Sequence, residues 1–230
     1  MSSLIKTIAF CALLGASIRA NAAVTVSVDP SAPWQGYMNV FDLPADGGAY
    51  KFGSGWGTAD LNAGFAADTL TLTPNTSISR DVATTDAYWW KPDGSGNKNM
   101  DANFYVENST TLPGQEVTFT GMVLENSLIT PYTSVAFIKD FAPDYSSNVS
   151  TTAALAPGAF SISLATTTGH HIQYGFETMG PNASLADVQR LGKVRVTAAS
   201  TQPPVPEPSS LALMAPGLFG VLAAWRKRRA

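Results

Sequence analysis

From Val24 to Val196 the chain returns again and again to an apolar-polar alternation with a period of two, and this pattern limits it to β structure. Val24, Val26 and Val28 alternate with Thr25 and Ser27, and Leu70-Thr71-Leu72-Thr73 repeats the motif. Val117, Phe119, Gly121 and Val123 place one face inward while Thr118 and Thr120 face out. Phe160 to Leu164 alternates with serine. Ile172, Tyr174 and Phe176 follow the same rule, as do Val194 and Val196. Residues two apart share a face of a strand, so each run makes a half-buried strand. Phe104 to Glu107 and Val135 to Phe141 predict two more.

Between these runs lie turn signals: Pro44 to Gly48, Pro92 to Gly96, Pro113-Gly114, Pro157-Gly158 and Gly180-Pro181-Asn182. Glycine supplies backbone conformations that other residues resist, and proline presets the turn. Helical periodicity is confined to Ser184 to Leu191. Nine to eleven short strands at this spacing predict an all-β fold, an antiparallel β-sandwich of jelly-roll-like connectivity over residues 23–198.

The two ends break the pattern. Lys6 precedes an apolar run from Thr7 to Ile18, and Ala20-Asn21-Ala22 has the small-x-small form of a cleavage site. Residues 1–22 are therefore expected to be a signal peptide, read by the Sec machinery, with the exported chain starting at Ala23. Cys11 is the only cysteine and lies inside this segment, so disulfides and thiolate chemistry are not expected of the exported part. At the other end, residues 199–208 form a Pro-rich linker containing Pro206-Glu207-Pro208. Residues 209–225, Ser209 to Trp225, carry no charge. As a helix at about 1.5 Å per residue they span roughly 26 Å, close to the ~30 Å of a hydrocarbon core. This predicts a single transmembrane helix. Arg226, Lys227, Arg228 and Arg229 in the terminal segment 226–230 then mark the cytoplasmic side.

The order of these three parts carries a resemblance. Pro206-Glu207-Pro208, one hydrophobic span and an Arg-rich end resemble the PEP-CTERM sorting signal of Gram-negative bacteria. The resemblance implies that exosortase, a membrane-embedded cysteine transpeptidase, reads Pro206, Glu207 and Pro208. It further implies a transient membrane anchor and a final place at the cell surface or in the extracellular matrix of an organism that makes exopolysaccharide.

Net charge bears on partners only once the ends are set aside. The whole chain carries -3. Residues 23–198 hold eight basic side chains and sixteen acidic ones, a difference of -8. A domain this acidic repels phosphate backbones, which excludes nucleic acid as the expected partner.

Candidate chemistry clusters around Tyr88-Trp89-Trp90. Neighbouring residues of a strand face opposite ways, so one of Trp89 and Trp90 is expected outside a one-sided core. Exposed aromatic planes stack on the C–H faces of sugar rings. Tyr88, Trp89 and Trp90, joined by Trp34, Tyr37 and Trp56, are therefore the candidate glycan platform. Packing of the same rings under loops or between sheets is the competing expectation. Asp93, Ser95, Asn97, Asn99 and Asp101 put oxygen ligands at alternate positions. This makes Asp93, Asn97 and Asp101 a calcium candidate, although Lys98 and Phe104 stand where a helix-loop-helix calcium site has Gly and Glu. No other metal and no cofactor is expected. His170 and His171 lack a neighbouring ligand cluster and read as a turn residue followed by a strand entry. No catalytic motif is present, so the expected role is non-enzymatic: a surface-destined extracellular or biofilm-matrix protein, with polysaccharide as its candidate partner. A glycan-active hydrolase, using distant carboxylates such as Glu107 and Glu125, and a structural matrix protein without a small ligand are the alternatives.

Overall fold

The structure is a computed structural model that describes residues 23–199. The expected signal peptide, Pro-Glu-Pro motif, membrane helix and basic terminus lie outside the described residues.

Among the described residues, twelve strands form two six-stranded sheets. In chain order they are β1 (Val24–Ser27), β2 (Gln35–Asp42), β3 (Tyr50–Trp56), β4 (Ala63–Ala66), β5 (Thr69–Leu72), β6 (Lys98–Asn108), β7 (Glu116–Asn126), β8 (Thr133–Phe141), β9 (Asn148–Ala154), β10 (Gly158–Ala165), β11 (His171–Pro181) and β12 (Val194–Thr197). The first sheet runs β1-β7-β12-β5-β4, with β10 on the other side of β7. The second runs β3-β2-β6-β11-β8-β9. The second sheet is antiparallel throughout. The first departs from the antiparallel expectation at one place, because β1 pairs parallel with Val117 to Thr120 of β7. That pairing follows from length. β7 is eleven residues long, and two four-residue strands share one of its edges: β1 at one end and β12 at the other, opposite Met122 to Asn126.

The alternations predicted for β1, β5, β7, β10, β11 and β12 are strands, and Phe104 to Glu107 and Val135 to Phe141 belong to β6 and β8. Their inward residues fill the space between the sheets. Val117, Phe119 and Val123 come from one side and Met100, Ala102, Phe104 and Val106 from the other, all within one core cluster. Phe119 and Phe176 are fully buried, with ring centroids 5.4 Å apart. Burying such a ring contributes about 1.5–3 kcal/mol. Trp34, in the loop after β1, inserts between the sheets. It stacks on Phe104 at 4.6 Å and donates its indole N–H to the carbonyl of Asp29 at 2.7 Å.

Three local expectations change. Gly180-Pro181 continues β11 instead of turning. Proline falls on the last rung, opposite Asn99, where a missing N–H disturbs least, and Gly180 leaves room for the Tyr132 ring. Trp89 and Trp90 lie in the long connection between β5 and β6, where only Trp90 forms a bridge, to Gly96. The helix expected over Ser184 to Leu191 is limited to one turn, α1 (Val188–Leu191).

Candidate functional site

β6 crosses the middle of the second sheet and sorts its side chains strictly. Met100, Ala102, Phe104 and Val106 face the core. Asp101, Asn103, Tyr105 and Glu107 line the opposite, outer face. That face holds a groove of about 590 Å³ running lengthwise over β6. Asn103, Tyr105 and Glu107 form its floor. Gln35, Tyr37 and Asn39 of β2 form one wall. Gln173 of β11, Lys139 and Phe141 of β8, Asn148 of β9 and Tyr145 of the β8–β9 loop form the other.

Glycines shape both sides. Tyr37 and Asn39 lean over Gly53 of edge strand β3, where a Cβ would stand 2.8 Å from the Tyr37 ring. In the centre of the sheet, Gly175 pairs with Tyr105 on one side and Phe137 on the other. A side chain at Gly175 would overlap the Phe104 carbonyl and come within 2.6 Å of the Tyr105 backbone. The two rings that can meet a ligand stand at opposite ends. Tyr37 is 36% exposed, and Tyr145 is 48% exposed.

Tyr145 is held in place from several directions. Its backbone is left-handed (φ 57°), it stacks on His171 at 4.5 Å, and its hydroxyl donates to Glu107 Oε1 at 2.9 Å. Desolvation, and then the Glu107 carboxylate, push its hydroxyl up to about 12, so it remains a donor at physiological pH. Glu107 accepts a second bond from Gln173 Nε2 at 2.8 Å. His171 Nδ1 lies 2.7 Å from Ser109 Oγ. His170 points elsewhere, to Asp140 at 2.8 Å, so the adjacent histidines diverge.

A second network lies deeper. Lys139 sits 4.2 Å over the Phe137 ring and donates to Asn103 Oδ1 at 2.6 Å and Glu177 Oε2 at 3.1 Å. Asn103 in turn donates to Asp101 Oδ1 at 2.8 Å, and Asn39 donates to Asp101 Oδ2 at 2.9 Å. Burial, reinforced by the Glu177 charge, raises the Asp101 carboxyl to about 6. The amides of Asn39 and Asn103 and the Lys139 charge oppose that rise. The network fixes the floor of the groove, while Asp101 itself is buried beneath it.

The six aromatic residues singled out as a platform are not gathered on one exposed row, and of them only Tyr37 lines the groove. Trp34 is packed between the sheets. Trp90 is 4% exposed and donates its indole N–H to Ile78 O at 2.9 Å. Trp56 packs against the core and donates to Ser54 Oγ at 2.9 Å. Besides Tyr37, only Tyr88 is exposed, and it meets the half-buried Trp89 edge to face at 4.8 Å. The packing expectation describes Trp34 and Trp90, and the physical reason is ring area: a large apolar plane in a loop is covered wherever the loop can fold over it.

Nor does the structure assemble Asp93, Asn97 and Asp101. Asp93 caps its own turn through Ser95, which also holds its carboxyl low. Asn97 donates to the carbonyls of Ala87 and Tyr88, and Asp101 belongs to the network under the groove. Among the described residues no group of three or more His, Cys, Asp or Glu side chains stands together. Tyr37 was legible as a candidate from sequence. Tyr105, Tyr145, Asn103, Lys139 and Glu177 were not. The one available signal was the alternation Asp101, Asn103, Tyr105, Glu107, a polar and aromatic face on a strand whose other face is core.

No curated protein and no solved structure matches the chain, so the sandwich carries no assignment from likeness. The C-terminal segment does. Residues 204–229 match the PEP-CTERM protein-sorting motif, a motif that implies exosortase-dependent sorting to the cell surface or the extracellular space.

Proposed function

We propose that the sandwich is a non-catalytic polysaccharide-binding domain and that its site is the groove over β6. The supporting observation is the pairing of two exposed tyrosines with side-chain amides along the groove. Tyr145 reaches Glu107, four residues along β6 from Asn103, and Asn103 pairs with Tyr37. At ~3.3 Å per residue the two rings are separated by about 13 Å along the strand. A single pyranose ring does not bridge that distance, whereas a short internal stretch of a linear glycan does. The rings offer flat apolar surface to C–H faces. Gln35, Asn103, Gln173 and Asn148 offer donors and acceptors to hydroxyls. Sites of this kind are concave and combine apolar walls with a few fixed polar groups. Delivery to the surface by the sorting motif brings the domain to where such polymers are.

Titration of the purified protein with linear surface polysaccharides tests the reading. Tyr37→Ala and Tyr145→Ala should each weaken binding about tenfold, the loss of a ring anchor worth more than 1 kcal/mol. Trp89→Ala should not. Binding that survives both tyrosine changes and falls with Trp89→Ala would return the site to the tryptophan loop. Glu107 and Glu177 share this face, which makes hydrolysis the second reading. Release of new reducing ends on incubation with a polysaccharide would favour it over binding alone.

A further inference from the structure

We infer that the protein self-associates through the edge of β9 that has no pairing strand among the described residues, with a second copy of the same chain as the partner. The second sheet ends at β3 on one side and β9 on the other. An open edge presents unpaired N–H and C=O groups, and proteins normally block it with charge, proline, bulges or short strands. β3 carries such devices: Lys51 is ion-paired to Asp42 at 2.5 Å, and the register with β2 shifts between Val40 and Phe41. In the first sheet, the edge strands β1 and β4 are only four residues long, and the third edge strand, β10, itself uncharged, lies close to β9 and β8 of the other sheet. β9 has no blocking device of its own. It is seven residues long, it pairs with β8 without interruption from Asn148 to Ala154, and it contains neither a charge nor a proline. It lies within an uncharged run from Tyr145 to Gly169, twenty-five residues in a chain that is 13% charged.

A second copy is the fitting occupant because the strand complements itself. An antiparallel pair of identical strands has a two-fold axis normal to the sheet, here at Thr151. Asn148 then faces Ala154 of the other copy, Val149 faces Ala153, and Ser150 faces Thr152. No like charges meet, because the strand carries none. Val149, 63% exposed in the single chain, gains an apolar neighbour on both sides of the axis. Such an interface is isologous and closes at two copies. The two-fold axis also leaves both outer faces of the extended sheet on the same side.

Cysteine cross-linking in the full chain tests this, with Cys11→Ser removing the only native thiol. Directly opposed residues in an antiparallel pair lie about 4.5–5.5 Å apart at Cα, within disulfide range. Thr151→Cys should therefore give a covalent dimer under mild oxidation. Asn148→Cys should not, because the two copies of residue 148 sit six positions apart across the axis. Thr151→Lys and the exposed Ser150→Lys should sediment as monomers where the parent chain sediments as a dimer. A monomeric parent chain, cross-linking at 148 as readily as at 151, or lysine variants that remain dimeric would overturn the inference.

Discussion

Replacing Asp101 with asparagine should stabilise the protein at neutral pH and lose that advantage in acid. The carboxyl is 6% exposed and is raised from the ordinary 3.8 to about 6, first by burial and then by Glu177. A carboxyl whose folded value exceeds its unfolded one stays protonated in the fold while the unfolded chain has released the proton. Its contribution is greatest below pH 3.8, declines as pH rises from about 4 to about 6, and is constant above. A shift of roughly two units at 1.36 kcal/mol each makes the decline about 3 kcal/mol. The amide of the Asp101→Asn variant carries no charge and shows no such decline. It does present an N–H₂ toward Asn39 or Asn103, both of which donate to Asp101, and one mismatched bond costs about 1 kcal/mol. The expected stabilisation at pH 7.5 is therefore about 2 kcal/mol, turning to a loss of about 1 kcal/mol near pH 3.5. Urea unfolding of both proteins across this range measures it. The comparison cancels the opposite trend of Asp29, Asp42, Asp81, Asp93 and Asp144, whose carboxyls are held low by hydrogen bonds and which favour the fold less as pH falls. A difference that moves by less than about 1 kcal/mol over the window, or in the other direction, would refute the account of the buried network.

Trp90→Ala should lower stability by about 3–5 kcal/mol, since it empties a buried site and leaves the Ile78 carbonyl without its indole donor. Thermal unfolding shows the loss, and a change within about 1 kcal/mol would mean that Trp90 is not packed as described. Mass spectrometry of surface-associated protein should find a chain ending near Glu207. Recovery of intact Ala230 would contradict processing at the sorting motif.

How legible each strand was depended on which face carried the contrast. β7 and β10 alternate valine and phenylalanine with threonine and serine, so one face is plainly core. β2 does not: Tyr37 and Phe41 sit on the face opposite Met38 and Val40, and apolar residues on both sides blur the period. β9 fails in the other direction, since Asn148 to Ala154 has little apolar content on either face. β3 is interrupted by Gly53 and Gly55, and β4 is only four residues long. The groove was hidden for a related reason. Its residues come from β2, β6, β8, β9 and β11 and from one loop, separated in the chain and joined only by strand register.

The tail shows the opposite case. A sorting motif is read by another protein as a contiguous segment, so Pro206-Glu207-Pro208 and the residues around it were sufficient in sequence to identify the PEP-CTERM sorting motif that residues 204–229 match. The β class was likewise local, because period-two burial is a property of neighbouring residues. Which aromatics are covered and which face is a groove depend on what lies across the sheet. Trp90 is buried because Ile78 and its loop close over it. Tyr145 is exposed because Glu107, thirty-eight positions away, holds its hydroxyl over β6. Contacts between distant positions decide that, and only the tertiary structure brings them together.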